Sequence, residues 1–176
     1  RIQVIVIYTA IAVGLAWFFE LQATTTVIFV RHAEKAAMPA DDPGLSPAGQ
    51  RRVAELTRQL ADADVVAGVD AVYSTPYRRT EETARPVADA LSLPINSYDA
   101  ADTEAIMEHI VKVHKGKVIL VVGHSNTVPA LIGNMGASKR VPEIAEDEYD
   151  NIYIVSIPWF GKTKTIRLRY GEPYAP

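Results

Sequence analysis

The sequence contains no cysteine, which excludes disulfide staples and thiolate metal sites but leaves the compartment open. It has no long basic run and a net charge of −3, so the electrostatic footprint of a nucleic-acid binder is missing. Histidine is scarce. The four present are His32, His109, His114 and His124, none at metal-ligand spacing with carboxylates on one face, so neither a metal nor another cofactor is expected. Internal repeats and low-complexity segments are lacking too. What remains is the composition of one ordinary globular domain, 176 residues with 48% hydrophobic and 22% charged, large enough to bury a real core.

Charge is absent between Arg1 and Glu20, and residues Ile2 to Phe19 are apolar apart from Gln3, Tyr8 and Thr9. That length is about the minimum for a membrane-spanning helix and slightly long for a signal-peptide core. A globular surface helix would need a polar face, and this one has almost none. An uncleaved anchor and a cleaved signal peptide fit better than a buried core helix, although Leu21-Gln22-Ala23 matches the small-x-small cleavage rule poorly. Both favoured readings divide the chain into a hydrophobic segment, residues 1–23, and a domain, residues 24–176. Both also export the domain from the cytoplasm, to the periplasm or the periplasmic face of the inner membrane if the source is a Gram-negative bacterium.

The domain is organised around Thr25-Thr26-Val27-Ile28-Phe29-Val30-Arg31-His32-Ala33-Glu34-Lys35. An uninterrupted apolar, β-branched run of this kind is expected of a strand buried on both faces of a parallel sheet. It breaks abruptly into Arg31 and His32, at the carboxyl end of the strand where open α/β sheets bind ligands. Lys117 to Val122 repeats the pattern and ends in Gly123-His124-Ser125-Asn126. Between them, Ala71-Val72-Tyr73-Ser74 runs into a helix that opens with Arg78 and Arg79. Three strand ends delivering His, Arg and His to one sheet edge are hard to explain as packing. If the first segment is retained in a membrane, this edge lies at the far end of the first strand and faces away from the bilayer.

The remaining elements follow from punctuation and periodicity. Met38 to Gly44, rich in Pro, Asp and Gly, reads as an active-site flap. Ser46 is a suitable N-cap and Pro47 a first helical residue for a helix to about Ala61, with Val53, Leu56, Thr57 and Leu60 inward. Val69 to Ser74 reads as a strand. The helix from about Pro76 to Leu91 contains Pro86, which should kink or split it. A short strand at Leu93 to Asn96 precedes a loop, Ser97 to Asp102, and Thr103 is expected to cap a helix over Glu104 to His114. Helix Thr127 to Met135, a charged loop Ser138 to Asp150, and a hairpin of Ile152–Ile157 with Thr163–Arg169 follow. The tail from Gly171 reads as frayed. The alternation predicts a three-layer α/β/α sandwich around a mostly parallel sheet.

Arg31-His32-Ala33-Glu34, the stretch Ser74 to Ala84, and Gly123-His124-Ser125 resemble the signature blocks of the histidine phosphatase superfamily, also called phosphoglycerate-mutase-like. Leu45-Ser46-Pro47-Ala48-Gly49 resembles that family's L-T/S-x-x-G helix start. The four blocks occur in the family's order and span roughly Thr25 to Ile157. The resemblance implies a phosphatase acting through a phosphohistidine, with the compactness of the phosphohistidine-phosphatase branch. Aligning Arg79-Thr80-Glu81-Glu82-Thr83-Ala84 with the family's R-A-x-Q-T-A selects Arg79 over Arg78, with Thr80 and Glu82 as departures.

The residue types suit that chemistry. His32 is the expected nucleophile, because a neutral imidazole attacks phosphorus well near neutral pH. Arg31 and Arg79 would bind the equatorial oxygens with planar forks, and His124, protonated once phosphate is bound, would add a donor. Ser125 and Asn126 can contribute side-chain or backbone bonds to phosphate. For the leaving-group proton the family usually supplies an acid from the loop after the kinked helix, which makes Asp99 the first candidate, with Asp102 and Glu104 behind it. Glu34 and Lys35 read as loop-orienting groups, and His109 and His114 as solvated. The substrate expected is a phosphorylated small molecule or phosphosugar. The alternatives are a phosphoglycerate-mutase-type transferase, disfavoured by the lack of long insertions, and a catalytically silent phosphate-binding module.

Overall fold

The computed structural model describes residues 1–21, 24–61, 68–137 and 141–174, without the side chains of Glu20 and Leu21. Helix α1 (Ile2–Leu21) leads to strand β1 (Thr24–Arg31), and α2 (Pro47–Ala61), β2 (Ala71–Ser74) and α3 (Arg78–Ala90) follow. Then come β3 (Ile95–Ser97), α4 (Thr103–Val113), β4 (Val118–Gly123), α5 (Thr127–Asn134) and the hairpin β5 (Asn151–Pro158) and β6 (Lys164–Arg169).

The six strands form one sheet in the order β3-β2-β4-β1-β5-β6. Only β5 runs against the others, pairing antiparallel with both β1 and β6. Side-chain alternation then sorts the apolar runs into two cores. Val27 and Phe29 of β1 and Ile119 and Val121 of β4 pack with Ile106, Met107 and Ile110 of α4 and Leu131 and Ile132 of α5. Ile28, Val30, Leu120 and Val122 face the other way, against Leu56 and Leu60 of α2 and Val87 and Ala88 of α3. Phe29, Leu120 and Ile119 are completely buried, each worth roughly 1.5–3 kcal/mol of transfer free energy, which is why both strands are apolar on both faces. The result is the expected three-layer sandwich.

Several local expectations need correction. The helix holding Pro86 continues unbroken to Ala90. Pro86 is exposed, so the carbonyl four residues earlier that it deprives of a donor sits on the solvent side. Asp102, not Thr103, caps α4, its carboxylate accepting from the Ala105 N–H at 3.0 Å. His114 is half-buried rather than solvated, with Nε2 2.9 Å from the Tyr73 hydroxyl. The tail is tied down as far as Tyr174: its N–H donates to Asp150 at 2.9 Å, and Tyr170 is buried. Helix α1 is exposed along Ile2–Phe19, which excludes the core-helix reading. Gln22, Ala23 and residues 138–140 of the charged loop lie outside the described residues.

Candidate active site

Strand register brings the two motif histidines together. Arg31 pairs with Gly123 across β1 and β4, and the His32 N–H donates to the Gly123 carbonyl at 2.9 Å, one step past the end of the ladder. The imidazoles of His32 and His124 therefore meet edge to face, with centroids 5.4 Å apart. This is the point where the chain's crossovers diverge, toward β2 on one side and β5 on the other, and where an open α/β sheet leaves a crevice. A cavity of about 690 Å³ occupies it, lined by Arg31, His32, Arg79, Asp99, His124 and Ser125, all anticipated, and by Lys35 and Asn126.

Backbone contacts fix the orientation of His32. Its Nδ1 lies 2.8 Å from the Ala33 carbonyl, which can only accept, so Nδ1 carries the proton and Nε2 presents a lone pair. The ring is only 4% exposed, and burial pulls its pKa down to about 3, opposed by that carbonyl bond and reinforced by Arg31, His124 and Arg79. The Ala33 N–H in turn donates to the Thr83 hydroxyl at 3.0 Å, which anchors the loop to α3.

His124 is fixed from the other direction. Thr80 Oγ1 lies 2.7 Å from the Tyr77 carbonyl and 3.0 Å from that of Thr75, so its one proton is spent on the backbone. Thr75 then donates to Thr80 at 2.8 Å and accepts from His124 Nε2 at 3.0 Å. His124 thus carries its proton on Nε2 and its lone pair on Nδ1. Burial, then Arg79 and Arg31, lower its pKa to about 4. Without ligand both histidines are neutral, and the donor role expected of His124 requires a proton acquired along with an anion.

The arginines differ. Arg31 is buried, its pKa lowered mainly by desolvation. Its Nη1 donates to the carbonyls of Ala145 and Glu148 at 2.7 and 3.0 Å, and its plane lies 4.2 Å over the Tyr149 ring. The fork expected to be wholly free for phosphate is therefore half committed, while its buried Nε has no hydrogen-bond partner among the described residues. Arg79 stacks 4.6 Å over Tyr77 and sits 3.8 Å from Asp42. Arg78 points elsewhere, bonding Glu82 at 3.2 Å on the outer side of α3. Of the two arginines, Arg79 lines the cavity and Arg78 does not.

Of the candidate acids, Asp99 lines the cavity, with Oδ1 accepting from the Ala101 N–H at 2.9 Å. Asp102 is committed to its cap, and Glu104 is exposed on the first turn of α4 and is no part of the cavity wall. Glu34 orients its loop as expected, by pairing with Arg52 at 2.8 Å. The flap is closed at its base by the Lys35–Leu45 bridge, and its Asp42 approaches the site at Arg79. Sequence reasoning missed Tyr77, Ile144, Glu146 and Tyr149. Tyr77 stood inside a recognised block. The others precede β5, whose antiparallel pairing with β1 returns the chain to this same edge.

Against known families, residues 27–102 match the model of the histidine phosphatase superfamily (branch 1), a span holding His32, Arg79 and Asp99. The match to the histidine phosphatase superfamily covers under half of the chain, and the fold of the remainder agrees with it. His124 lies beyond the matched span, and its place beside His32 rests on the sheet. The protein histidine phosphatase SixA complexed with tungstate shares the fold, with TM-score 0.62, 20% identity, and 82% of this chain and 96% of that one covered. A mycobacterial glucosyl-3-phosphoglycerate phosphatase bound to inorganic phosphate gives TM-score 0.63 at 12% identity over 84% and 97%. Phosphoglycerate mutase from Plasmodium falciparum gives 0.60 at 15% over 88% and 97%. No curated protein matches in sequence. The solved structures that share this fold thus include phosphatases and a mutase.

Proposed function

We propose that the protein is a phosphatase that hydrolyses a phosphomonoester, or a phosphoramidate, through a covalent phosphohistidine at His32. The observation that carries this reading is the Nδ1 bond to the Ala33 carbonyl. It aims a neutral Nε2 lone pair into a cavity walled by Arg31 and Arg79, as in-line attack on an anionic phosphoryl group requires. The unpartnered Nε of buried Arg31, the Arg79 guanidinium, His124 and the Ser125 turn at the start of α5 are our phosphate-binding groups. In the first step the Nε2–P bond forms, the P–O bond to the substrate alcohol breaks, and the departing oxygen takes a proton from Asp99. In the second, Asp99 accepts a proton from water, which attacks phosphorus, and the Nε2–P bond breaks to release phosphate.

The cavity is several times larger than a phosphate ion, which favours a phosphorylated small molecule or phosphosugar. We read residues 1–23 as an anchor or export signal and residues 24–176 as the enzymatic domain, a location that removes cytoplasmic phosphoproteins from consideration. The test is hydrolysis of an aryl phosphate by the full chain in detergent, with EDTA, wild type against His32→Ala. Turnover that resists EDTA and disappears in the variant is expected, with a phosphoenzyme trapped by acid quench. Turnover that survives His32→Ala refutes the mechanism.

A further inference from the structure

The β5–β6 hairpin turns through Trp159-Phe160-Gly161-Lys162 and leaves Trp159 70% and Phe160 90% exposed. Register places Pro158 beside Thr24, so this tip lies at the amino end of β1, the sheet edge opposite His32. Helix α1 reaches the same place. The Phe19 ring packs on Trp159 at 5.1 Å between centroids and edge to face on Phe18 at 5.8 Å. Ile2–Phe19 is wholly unburied with a mean hydropathy of 2.1, so the aromatic tip continues an apolar surface that already needs covering.

The chemistry of the tip selects what covers it. Trp at the end of an apolar helix, with Phe beside it, is the composition of the membrane–water interface, where an amphipathic ring has both an apolar and a wet neighbour. Charge on this edge agrees. Lys162 and Lys164 flank the tip, and Lys112 and Lys115 are exposed where α4 hands over to β4. Asp70, just before β2, is paired with Lys117 at 2.9 Å. Long lysine stems over anionic headgroups suit such a surface.

We propose that Trp159 and Phe160 form a second membrane contact, seated in the headgroup region of a phospholipid bilayer beside the end of α1. The proposal rests on reading α1 as a retained anchor. A single helix would leave the domain free to swivel; two contacts hold β1 upright, with His32 roughly 25 Å from the bilayer surface. A phosphate in the headgroup layer is then out of reach, and the substrate must be soluble or extend well above the membrane.

The chain's two tryptophans make the test direct: Trp17→Phe leaves Trp159 as sole reporter, and Trp159→Phe leaves Trp17. The full chain is reconstituted in vesicles of phosphatidylcholine and phosphatidylglycerol, with acyl chains brominated near the headgroup or near the bilayer centre. Trp159 is expected to emit blue-shifted from its value in water and to be quenched more by the shallow bromines. Unquenched, water-like Trp159 emission alongside a quenched Trp17 overturns the second contact and leaves the anchor standing. If neither reporter is quenched, the anchor reading fails and takes the proposal with it.

Discussion

Burying two neutral histidines makes the fold sensitive to acid in a calculable way, and His32→Asn is the perturbation that isolates one of them. His32 and His124 have pKa values lowered from 6.5 to about 3 and about 4. A base with a depressed folded pKa is protonated more readily in the unfolded chain, so its stabilising contribution is complete above pH 6.5 and lost as pH falls toward the folded value. At pH 5 the unfolded imidazole is almost fully protonated and the folded ones are not, which costs about 2 kcal/mol per histidine relative to pH 8. That figure hardly depends on the folded values, because both lie below pH 5. The substituted asparagine amide can still donate to the Ala33 carbonyl but does not titrate. In calorimetric melts at pH 8 and pH 5, the wild type should therefore lose about 2 kcal/mol more than His32→Asn, or about 4–8 °C of Tm for a chain of this size. His114, also lowered by burial, is common to both proteins and cancels. Parallel acid losses in the two proteins would refute the claim that His32 is held neutral by burial.

A Cβ at Gly49 would meet the Glu34 carbonyl at 2.3 Å, so Gly49→Ala should destabilise by about 1–3 kcal/mol in urea melts by forcing α2 off the His32 loop. Thr75→Val leaves the buried His124 Nε2–H without an acceptor, and should cost about 1–3 kcal/mol and weaken inorganic phosphate binding measured by titration calorimetry. Binding of sulfate, a dianion throughout this range, should take up protons near pH 6.5, since a dianion between Arg31 and Arg79 raises the pKa of His124; heats that do not vary with buffer ionisation enthalpy count against this. Asp99→Asn should slow phosphoenzyme formation from alkyl phosphates about 10²–10⁴-fold in acid-quench time courses while sparing the nitrophenolate burst from p-nitrophenyl phosphate, whose leaving group needs no proton, and should slow the later hydrolysis of the phosphohistidine for both. If Glu146→Gln shows that pattern instead, the proton comes from Glu146 on the cavity wall.

The fold was legible wherever one residue type had one physical consequence. Uninterrupted Val and Ile in β1 and β4 could only belong to strands buried on both sides, and Ser46 caps α2 through the Gly49 N–H at 3.1 Å as its position suggested. Boundaries were less so. Asp102 and Thr103 are both good caps, and only the carboxylate's reach to Ala105 decides between them. The tail looked frayed because its local composition is that of a loose end. Its order comes from Arg52, 118 residues upstream of Tyr170, which bonds that residue's carbonyl at 2.9 Å, and no local pattern encodes such a contact.

The site divides along the same line. His32, Arg79 and His124 were readable as candidates because two strand ends and the start of α3 bring them to one edge of the sheet. What disposes them was not. The proton on His124 is assigned through Thr80, one of the two departures from the family block, which is fully buried in the fold. The commitment of half of Arg31 to the carbonyls of Ala145 and Glu148 comes from a loop with no recognisable pattern. That commitment has a functional consequence: the segment from Ile144 to Tyr149 is held against the site by the same guanidinium that we assign to phosphate. A substrate wall and a phosphate ligand are thereby coupled through one side chain, so substitutions in that segment should shift phosphate affinity without touching phosphate. On the reading proposed above, specificity is then a property of what Arg31 holds in place as much as of what it binds.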